Sequence, residues 1–470
     1  MIRDDDLKAG KDTFAWTGHW WLPSSPDAKL PGVLSPTKDR GPSLEVMGSF
    51  CDEHDRERKP IEIIHGTTPA AQFVTLCRCS EGGSSYDARG QYRTSYNVEL
   101  AVTGEHFPSI NALTFQDLRI QYSTLIHWVS LPLVDDKATS AGSQPLQALK
   151  VRPPVVTRLY QGNGYVLTLL YSACSESTGP GITLSIYPGA HIALHWDAPR
   201  PLADSLAVVS SVRDFLAFAT GLSTHVEMIR ARPVRFTQVG HAHDMLLFHR
   251  SHVGRKAEQE PGLSLFFLED VASNFEAVVG AWFQRGQMLQ PVIDLHLAPV
   301  YNPQMIAESQ FLTAIQALEA FHRRMRGTKE LPDDQHEARM AQVLASAPEN
   351  QRAWLAEKLG YSNEPSLRRR LKSLFDEFED ILAHFTLDRK GFAGVACNTR
   401  NYLTHYDPKL KDKAANGWDL WQLVYGTQLL VDIGLLHEFG VDRDKIPELA
   451  ARRHMTLVKR PAGPTDAARG

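Results

Sequence analysis

No run of apolar residues in this 470-residue chain approaches the roughly 20 needed to span a bilayer, so we expect no membrane partner. The first residues are charged and lack the apolar core of a secretory signal. Cysteine is scarce as well: five thiols, an odd number scattered along the chain, are typical of a reducing compartment rather than of a disulfide framework. These absences together predict a cytoplasmic protein.

A large excess of positive charge is also missing. The chain has 50 Lys and Arg against 54 Asp and Glu, a net charge of -4, so as a whole it is not a polycation for duplex nucleic acid. The signatures of phosphate-cradling ATPases, Rossmann enzymes, zinc metalloproteases and zinc fingers are absent too. We therefore expect neither a cofactor nor a metal.

What the chain does have is ample core material, with 43% hydrophobic residues and 22% charged residues. The pattern predicts an α+β multidomain protein. Residues 1–201 contain short β-branched and aromatic runs separated by Gly, Pro, Asp and Ser, which favours a β-rich sandwich or barrel. Residues 202–302 are mixed α/β, residues 303–448 follow the period of an all-α helical bundle, and residues 449–470 form a tail.

Several helix boundaries follow from local signals. Asp204 is predicted to cap a helix that Gly221 ends. Ser366 is predicted to cap one long helix over residues 367–385, because its apolar residues recur at helical spacing. Residues 417–439 are apolar on most sides, which predicts a central helix of the bundle.

Two sites before the predicted helical bundle have residue types that bind metals in other proteins. His241 and His243 would share one face of a strand, but Asp244 would point away from them. A metal-dependent hydrolase at these histidines is the weakest of three functional hypotheses. Cys77 and Cys79 also share a strand face without a second pair, and we interpret them as small buried apolar residues.

The segment CNTRNYLTHYDP, residues 397–408, carries Arg400, Asn401 and His405 near the end of a predicted helix. RNA cleavage without a metal needs a base for the ribose 2′-OH or an acid for the leaving 5′-oxygen, and the histidine pKa suits both roles. It also needs a fixed cation on the phosphorane oxygens, which the planar fork of Arg supplies.

Helical geometry places Asn401 on the same side as His405, since four residues separate them by about 40°. Arg400 lies about 140° from His405 around the axis, so a single helix does not aim both side chains at one phosphate. Two sets across a symmetric dimer would supply two cations and two titratable groups. His405 is expected in the last helical turn before Pro408, where the helix dipole favours imidazolium.

An Arg followed by a His a few residues later is a loose pattern, and it also occurs at Arg58/His65 and Arg235/His241. Those two pairs lie in β-like sequence, and only Arg400 has the adjacent Asn and the helical setting. The alternative interpretation of the Arg400 segment is a helix end with polar residues that cap carbonyls or bond a neighbouring helix.

The Arg-Asn-x-x-x-His helix end inside a helical bundle resembles the HEPN superfamily, and TRNYLTHYDP resembles its Apea-like branch. The runs GHWWLPSSPDAKLPGVLS, IIHGTT and QFVTLCRC resemble the ApeA N-terminal domain. Both resemblances occur in the order found in that family and together cover most of the chain. The middle region matches least distinctly.

The resemblance implies an abortive-infection factor against phages: a metal-independent endoribonuclease that acts as a homodimer and leaves a 2′,3′-cyclic phosphate and a 5′-hydroxyl. It implies that Arg400 and His405 are catalytic and that Asn401 orients them. RNA, with tRNA anticodon loops as one option, would be the substrate, because a single-stranded loop permits in-line attack by the 2′-OH. A phage-derived trigger would act through the first 300 residues.

Further residues are predicted to contact RNA phosphates, with a solvated helix face and loop as the alternative. They are Arg368, Arg369, Arg370, Lys372, Lys409, Lys411 and Lys413. Glu319 and His322 face the same bundle and are expected to serve packing rather than the site.

The second functional hypothesis is a non-catalytic binding or sensor protein, in which the bundle only dimerises or binds nucleotide. Burial of His405 against its own bundle would favour that hypothesis.

Overall fold

The computed structural model describes residues 15–37, 41–51, 59–70, 72–86, 90, 92–132, 154–178, 183–232, 244–250, 264–387 and 389–459. The chain divides into two compact units. The first comprises residues 1–259 with 267–269, and the second comprises residues 260–266 with 270–470. The predicted α+β class, β-rich at the start and helical at the end, is confirmed. The mixed region 202–302 contributes elements to both units.

The first unit begins with a six-stranded antiparallel barrel. β1 to β6 pair in the order β3-β2-β1-β4-β5-β6, and β3 pairs again with β6, which closes the ring. Closure leaves these strands without a free edge inside the ring. The strand bounds are β1 Trp16–Trp21, β2 Leu30–Thr37, β3 Gly41–Met47, β4 Ile61–Thr67, β5 Phe73–Tyr86 and β6 Tyr92–Thr103.

Alternating side chains of these strands fill the barrel. Trp20 lies in the centre of this core and is fully buried. Cys77 and Cys79 are buried, as predicted, and burial raises the pKa of Cys77 to about 12. Other members of the core are Leu34, Leu44, Val46, Ile64, Val74, Leu76, Tyr96, Val98 and Ala101.

Gly66 allows β4 to pass directly over Trp20. A Cβ at position 66 would lie 2.2 Å from Cε3 of the Trp20 ring, which is far inside van der Waals contact. We expect Gly66→Ala to lower the free energy of unfolding by about 1–3 kcal/mol, the usual cost of overpacking a core. Urea unfolding of the full chain, followed by its tryptophan fluorescence, measures this change.

Gly286 supplies the matched control, since a Cβ there meets nothing within 4 Å and its backbone is helical. Gly286→Ala is expected to leave stability unchanged or raise it by up to about 1 kcal/mol. Equal unfolding curves for Gly66→Ala and the parent protein would contradict the packing argument.

The sheet continues beyond the barrel from β6, in the order β12-β11-β7-β10-β9-β8. The turn Gly162-Asn163-Gly164 joins β8 to β9, which pair in antiparallel register. The bounds are β7 Thr114–Tyr122, β8 Val155–Gln161, β9 Tyr165–Thr178, β10 Thr183–Pro201, β11 Val226–Ala231 and β12 Met245–His249.

The described residues of the first unit include two α-helices: α1, Leu125–Val129, and α2, Leu202–Thr220. Tyr122 of β7 donates a hydrogen bond to the Val209 carbonyl, 3.0 Å away, so α2 packs against the sheet. Gly221 ends α2 in a left-handed conformation, as predicted. The predicted cap at Asp204 is wrong by one turn, because α2 begins at Leu202 and Asp204 lies within its first turn.

The second unit is a helical bundle. In chain order its helices are α3 Phe275–Tyr301, α4 Ala307–Met325, α5 Asp333–Ser346, α6 Glu349–Lys358, α7 Leu367–Glu377, α8 Glu379–Leu382, α9 Arg389–His405, α10 Gly417–Glu438 and α11 Ile446–Arg453. Ser366 caps α7 by accepting a hydrogen bond from the Arg369 amide, as predicted. The single long helix expected over residues 367–385 is wrong, since the chain breaks at Phe378 into α7 and α8. Phe378 is fully buried. The apolar residues on both sides of the break therefore keep a helical spacing in the sequence, although the helix itself is interrupted.

The predicted central helix is confirmed as α10, most of whose residues are buried. One exception is Trp418 in its first turn, which sequence analysis placed among the apolar residues and which is 63% exposed. Gly434 of α10 lets Phe321 of α4 approach, because a Cβ there would lie 2.8 Å from the Phe321 ring.

A buried carboxylate lies in the middle of α10. Asp432 has no exposed surface and accepts hydrogen bonds from His296 of α3 at 2.7 Å and from His454 after α11 at 2.8 Å. The Arg453 guanidinium lies 3.2 Å away. Burial alone would raise the pKa of Asp432, but the charge of Arg453 and the two imidazoles outweigh burial and hold it well below its usual range. This ionic cluster joins three parts of the bundle.

Candidate functional site

The Arg-Asn-x-x-x-His segment lies at the C-terminal end of α9. His405 is the last residue of this helix and is exposed, which confirms its predicted place in the last turn. None of the described residues hydrogen-bonds its ring. A non-catalytic binding bundle is expected to have His405 packed against its own helices. In the structure His405 is exposed instead.

Arg400 is half-buried one turn and a half before His405. Its guanidinium Nη1 donates a hydrogen bond to Oδ1 of Asn401, 3.2 Å away. This bond joins the two neighbouring polar residues of the segment and limits the directions that the Arg400 fork adopts. Asn401 is itself half-buried, so both side chains lie partly within the surface while His405 projects from it.

The helix ends immediately after His405 because Tyr406 takes a left-handed backbone conformation, with φ at 52°. The Tyr406 amide still donates to the Tyr402 carbonyl, and Asp407 then caps the short 3-10 segment Pro408–Lys413. A left-handed tyrosine is uncommon, since glycine or asparagine usually occupies such a helix end. Local strain of this kind often accompanies functional sites.

The residues just before α10 contact α9 next to Arg400. The Ala415 amide donates to Oγ1 of the buried Thr399, 2.9 Å away, directly beside Arg400 in sequence. Trp418 follows three residues later and is 63% exposed, and Tyr406 is 68% exposed. Sequence analysis did not single out these two exposed rings, because an exposed aromatic and a core aromatic look the same in a hydrophobic pattern.

Arg368 of α7 reaches α9 close to this segment. Its guanidinium Nη2 lies 3.7 Å from the position that a Cβ on Gly394 of α9 would take. Burial raises the pKa of Cys397, and the charges of Arg368 and Arg400 lower it in part. Glu319 of α4 also acts on this thiol. The charges that act on the Cys397 thiol thus come from three helices, α4, α7 and α9.

The other predicted RNA-contacting residues have different surroundings. Lys372 is exposed on α7, and Lys409, Lys411 and Lys413 are exposed on the 3-10 segment that follows His405. Arg369 is exposed but forms an ion pair with Glu330 at 2.8 Å.

Arg370 points into the bundle, with 1% of its surface exposed. It donates to Nδ1 of the buried His322 at 3.1 Å, which requires a neutral imidazole with an acceptor nitrogen. Burial and the charges of Arg370 and Arg326 lower the pKa of His322. We therefore leave Arg370 out of the RNA-contacting set, because burial removes its charge from the surface.

His241 and His243 lie outside the described residues. Within the part of the chain that the structure describes, no three His, Cys, Asp or Glu side chains come together as metal ligands would.

Two family models match the chain. Apea-like HEPN covers residues 312–445, and ApeA N-terminal domain 1 covers residues 15–282, which is more than half of the chain. The chain belongs to the ApeA family. Neither a curated protein nor a solved structure matches it.

The match to the Apea-like HEPN model begins in α4 and ends after α10, so it contains the whole Arg400 segment. An ApeA-family chain with this domain is a HEPN-type anti-phage effector. HEPN domains generally act as RNases and commonly dimerise. Among the described helices of this ApeA-family chain, none has both the length and the apolar character to cross a membrane.

Proposed function

We propose that this chain is a metal-independent endoribonuclease that uses Arg400, Asn401 and His405 to cleave RNA during phage infection. The observation that carries the proposal is the exposed His405 at the end of the helix that also holds Arg400 and Asn401. An acid-base group that acts on a bulky polymer has to project from the surface. The fixed cation, by contrast, gains strength from partial burial, because a low dielectric strengthens its interaction with charge.

The proposed reaction is attack of the ribose 2′-OH on the adjacent phosphorus. His405 moves a proton, either from the 2′-OH or to the leaving 5′-oxygen. Arg400 stabilises the extra negative charge of the phosphorane. Asn401, which accepts a hydrogen bond from Arg400, keeps the guanidinium oriented. The products are a 2′,3′-cyclic phosphate and a 5′-hydroxyl.

Single-stranded RNA, with a tRNA loop as one option, fits the surroundings of the segment. Lys409 and Lys411 are exposed directly after His405, and Arg368 lies beside α9. The exposed rings of Tyr406 and Trp418 offer faces on which unpaired bases stack, an interaction that contributes about 1–3 kcal/mol per base.

A homodimer completes the proposed site. One copy has one Arg400 and one His405, about 140° apart by helical geometry. A twofold arrangement of two α9 ends would supply two guanidiniums and two imidazoles around one phosphate. We also propose that the first unit restrains the nuclease until a phage-derived trigger binds, since an unrestrained cytoplasmic RNase would harm its own host.

Incubation of total RNA with the purified full chain in EDTA tests the activity. We expect new fragments that end in 2′,3′-cyclic phosphate and begin with 5′-hydroxyl, identified by end-specific ligation and sequencing. Extract from phage-infected cells is added in a second arm to supply the trigger. Intact RNA in both arms, or cleavage that needs a divalent cation, would contradict the proposal. RNA binding without cleavage would favour a non-catalytic binding protein.

The lysines after His405 give a separate prediction about RNA binding. We expect the double variant Lys409→Gln, Lys411→Gln to bind RNA more weakly whatever its sequence. The slope of log affinity against log salt should fall by about 1.4, at about 0.7 for each phosphate of a single strand that a lysine no longer neutralises. Fluorescence anisotropy with a labelled oligonucleotide at several salt concentrations, in EDTA and with His405→Ala to prevent cleavage, measures both quantities.

Lys358→Gln in the same background is the control, because Lys358 is exposed on α6. It should leave the salt slope unchanged. A double variant with the parent slope would remove these lysines from the proposed RNA surface.

A further inference from the structure

A short segment between β6 and β7, residues 104–107, lies across the outside of the barrel, and we call it the strap. Thr75 of β5 alternates with residues of the barrel core, so its side chain points outward. The strap nevertheless buries it completely. Oγ1 of Thr75 donates a hydrogen bond to the Glu105 carbonyl at 2.8 Å and accepts one from the Phe107 amide at 3.0 Å. The strap is thus fixed to β5 by its backbone.

Two histidines join the strap to β4 in a reciprocal manner. Nε2 of His65 on β4 donates to the Phe107 carbonyl of the strap at 2.9 Å, and Nε2 of His106 in the strap donates to the Gly66 carbonyl of β4 at 2.8 Å. Because a carbonyl only accepts, both rings carry hydrogen on Nε2, and Nδ1 is the atom at which each ring takes up a proton. The two imidazoles also stack, with centroids 4.4 Å apart and planes 12° from parallel.

Aromatic rings enclose this histidine pair. Trp21 of β1 is 8% exposed and stands nearly perpendicular to both imidazoles, with centroids 6.3 Å from His65 and 5.3 Å from His106. The ring of Phe73 on β5 lies 4.8 Å from that of His106. Both histidines are half-buried as a result, and water screens their charges only in part.

The charged residues near the pair offer it no close carboxylate partner among the described residues. Nζ of Lys29 lies 4.7 Å from the centroid of the Trp21 ring, and His19 is exposed on the same face of β1 as Trp21. Glu105 is exposed, and the strap uses its backbone carbonyl rather than its side chain. On β5 the neighbours are Phe73 and Thr75, neither of which titrates near neutral pH. A second proton on the pair is therefore not neutralised.

The pair takes up its two protons in separate steps. Burial lowers the pKa of His106, the hydrogen bond to Gly66 offsets part of this effect, and the charge of His65 lowers the pKa further. Two imidazolium rings with centroids 4.4 Å apart repel each other, so the second proton binds at lower pH than the first. That repulsion acts between β4 and the strap, the two segments that the pair joins.

We infer that His65 and His106 form a latch that keeps the strap closed while at least one ring is neutral and releases it when both are protonated. The strap leads through a short 3-10 turn into β7, which lies in the other half of the sheet. Release therefore frees the connection between the barrel and that half. The inference concerns the first unit alone and does not depend on the nuclease activity.

Hydrogen exchange of the full chain, measured by mass spectrometry on peptides that contain the strap, tests the latch. The Gly104 and Phe107 amides donate to the Phe73 carbonyl and to Thr75, so their exchange reports opening of the strap. After correction for the intrinsic pH dependence of exchange, opening should increase by up to about tenfold per pH unit below about pH 6.5, the slope for one additional proton. A constant opening equilibrium between about pH 7.5 and pH 5 would exclude the latch.

The double variant His65→Gln, His106→Gln removes the titration but keeps the hydrogen bonds. The amide nitrogen of glutamine donates as Nε2 of histidine does, but it takes up no proton in this pH range. Exchange in the strap of this variant should no longer depend on pH after the same correction. His19→Gln is the matched control, since His19 is exposed outside the pair, and it should keep the parent slope.

Melting temperatures show which variants are folded, and the single variants His65→Gln and His106→Gln replace the double variant if it is not. Each single variant lacks the repulsion between two rings, so its slope should be smaller than that of the parent. The parent slope in a folded double or single variant would refute the latch. So would exchange that rises equally in peptides of the β5 core, because the strap would then open only with general acid unfolding.

Discussion

Replacement of His405 by alanine is expected to reduce RNA cleavage by about 10²–10⁴-fold, the usual contribution of one acid-base group. His405 is exposed at the end of α9 and its ring forms no hydrogen bond with a described residue, so its replacement removes the imidazole without disturbing the packing of the fold. The initial rate of cleavage of a fluorogenic RNA in EDTA, under the conditions that activate the parent, measures the effect.

Replacement of Arg400 should have a comparable effect for a different reason. Arg400→Ala removes the cation from the phosphorane, which costs about 10²–10³-fold for a single oxyanion donor. Arg400→Lys keeps the charge but loses the fork that donates to Asn401, and we expect it to recover only part of the rate. Comparison of the two variants separates charge from geometry.

Matched controls are an exposed His and an exposed Arg of the same unit, His384→Ala and Arg339→Ala. Both should cleave RNA at the parent rate. Each variant is also checked for its melting temperature and for its oligomeric state by light scattering. Full activity in a folded His405→Ala or Arg400→Ala protein would overturn the assignment of this site.

The second large effect concerns stability. Asp432→Ala leaves Arg453, His296 and His454 without their shared acceptor inside the bundle. Removal of one partner from a buried ionic cluster typically costs about 3–5 kcal/mol, because the remaining charge stays buried. Urea unfolding followed by helical circular dichroism should show the second unit destabilised by this amount.

Asp380→Ala is the control, since Asp380 and Arg443 form an ion pair that is largely exposed. Exposed pairs of this kind contribute at most about 1 kcal/mol. If both substitutions had the same small effect, the buried cluster would not be a major source of stability.

The same cluster predicts how stability depends on pH. The fold lowers the pKa of Asp432, so its contribution is present above the unfolded pKa of about 3.9 and is lost as pH falls toward the folded pKa. The stability gap between the parent and Asp432→Ala should therefore shrink below about pH 4. Burial lowers the pKa of His454, so the fold favours its neutral form, and stability should begin to fall below about pH 6.5.

Local sequence signals predicted many elements of the fold correctly. The cap at Ser366 and the stop at Gly221 each depend on a few neighbouring residues. The break at Phe378 was missed, because the buried side chains keep their spacing although the backbone does not. Closure of the barrel by β3 and β6 depends on a pairing between strands about 50 residues apart, which no local pattern contains.

The sequence alone established the α+β class, the helical end of the chain and the position of His405 in the last turn of a helix. These properties follow from composition, periodicity and the Arg-Asn-x-x-x-His spacing, all of which act between near neighbours. Only the tertiary structure decided that Arg370 is buried whereas Arg368 lies beside α9, and that Trp418 faces solvent rather than core. The physical reason is that exposure and charge proximity depend on which helices pack together, and residues distant in sequence determine that packing.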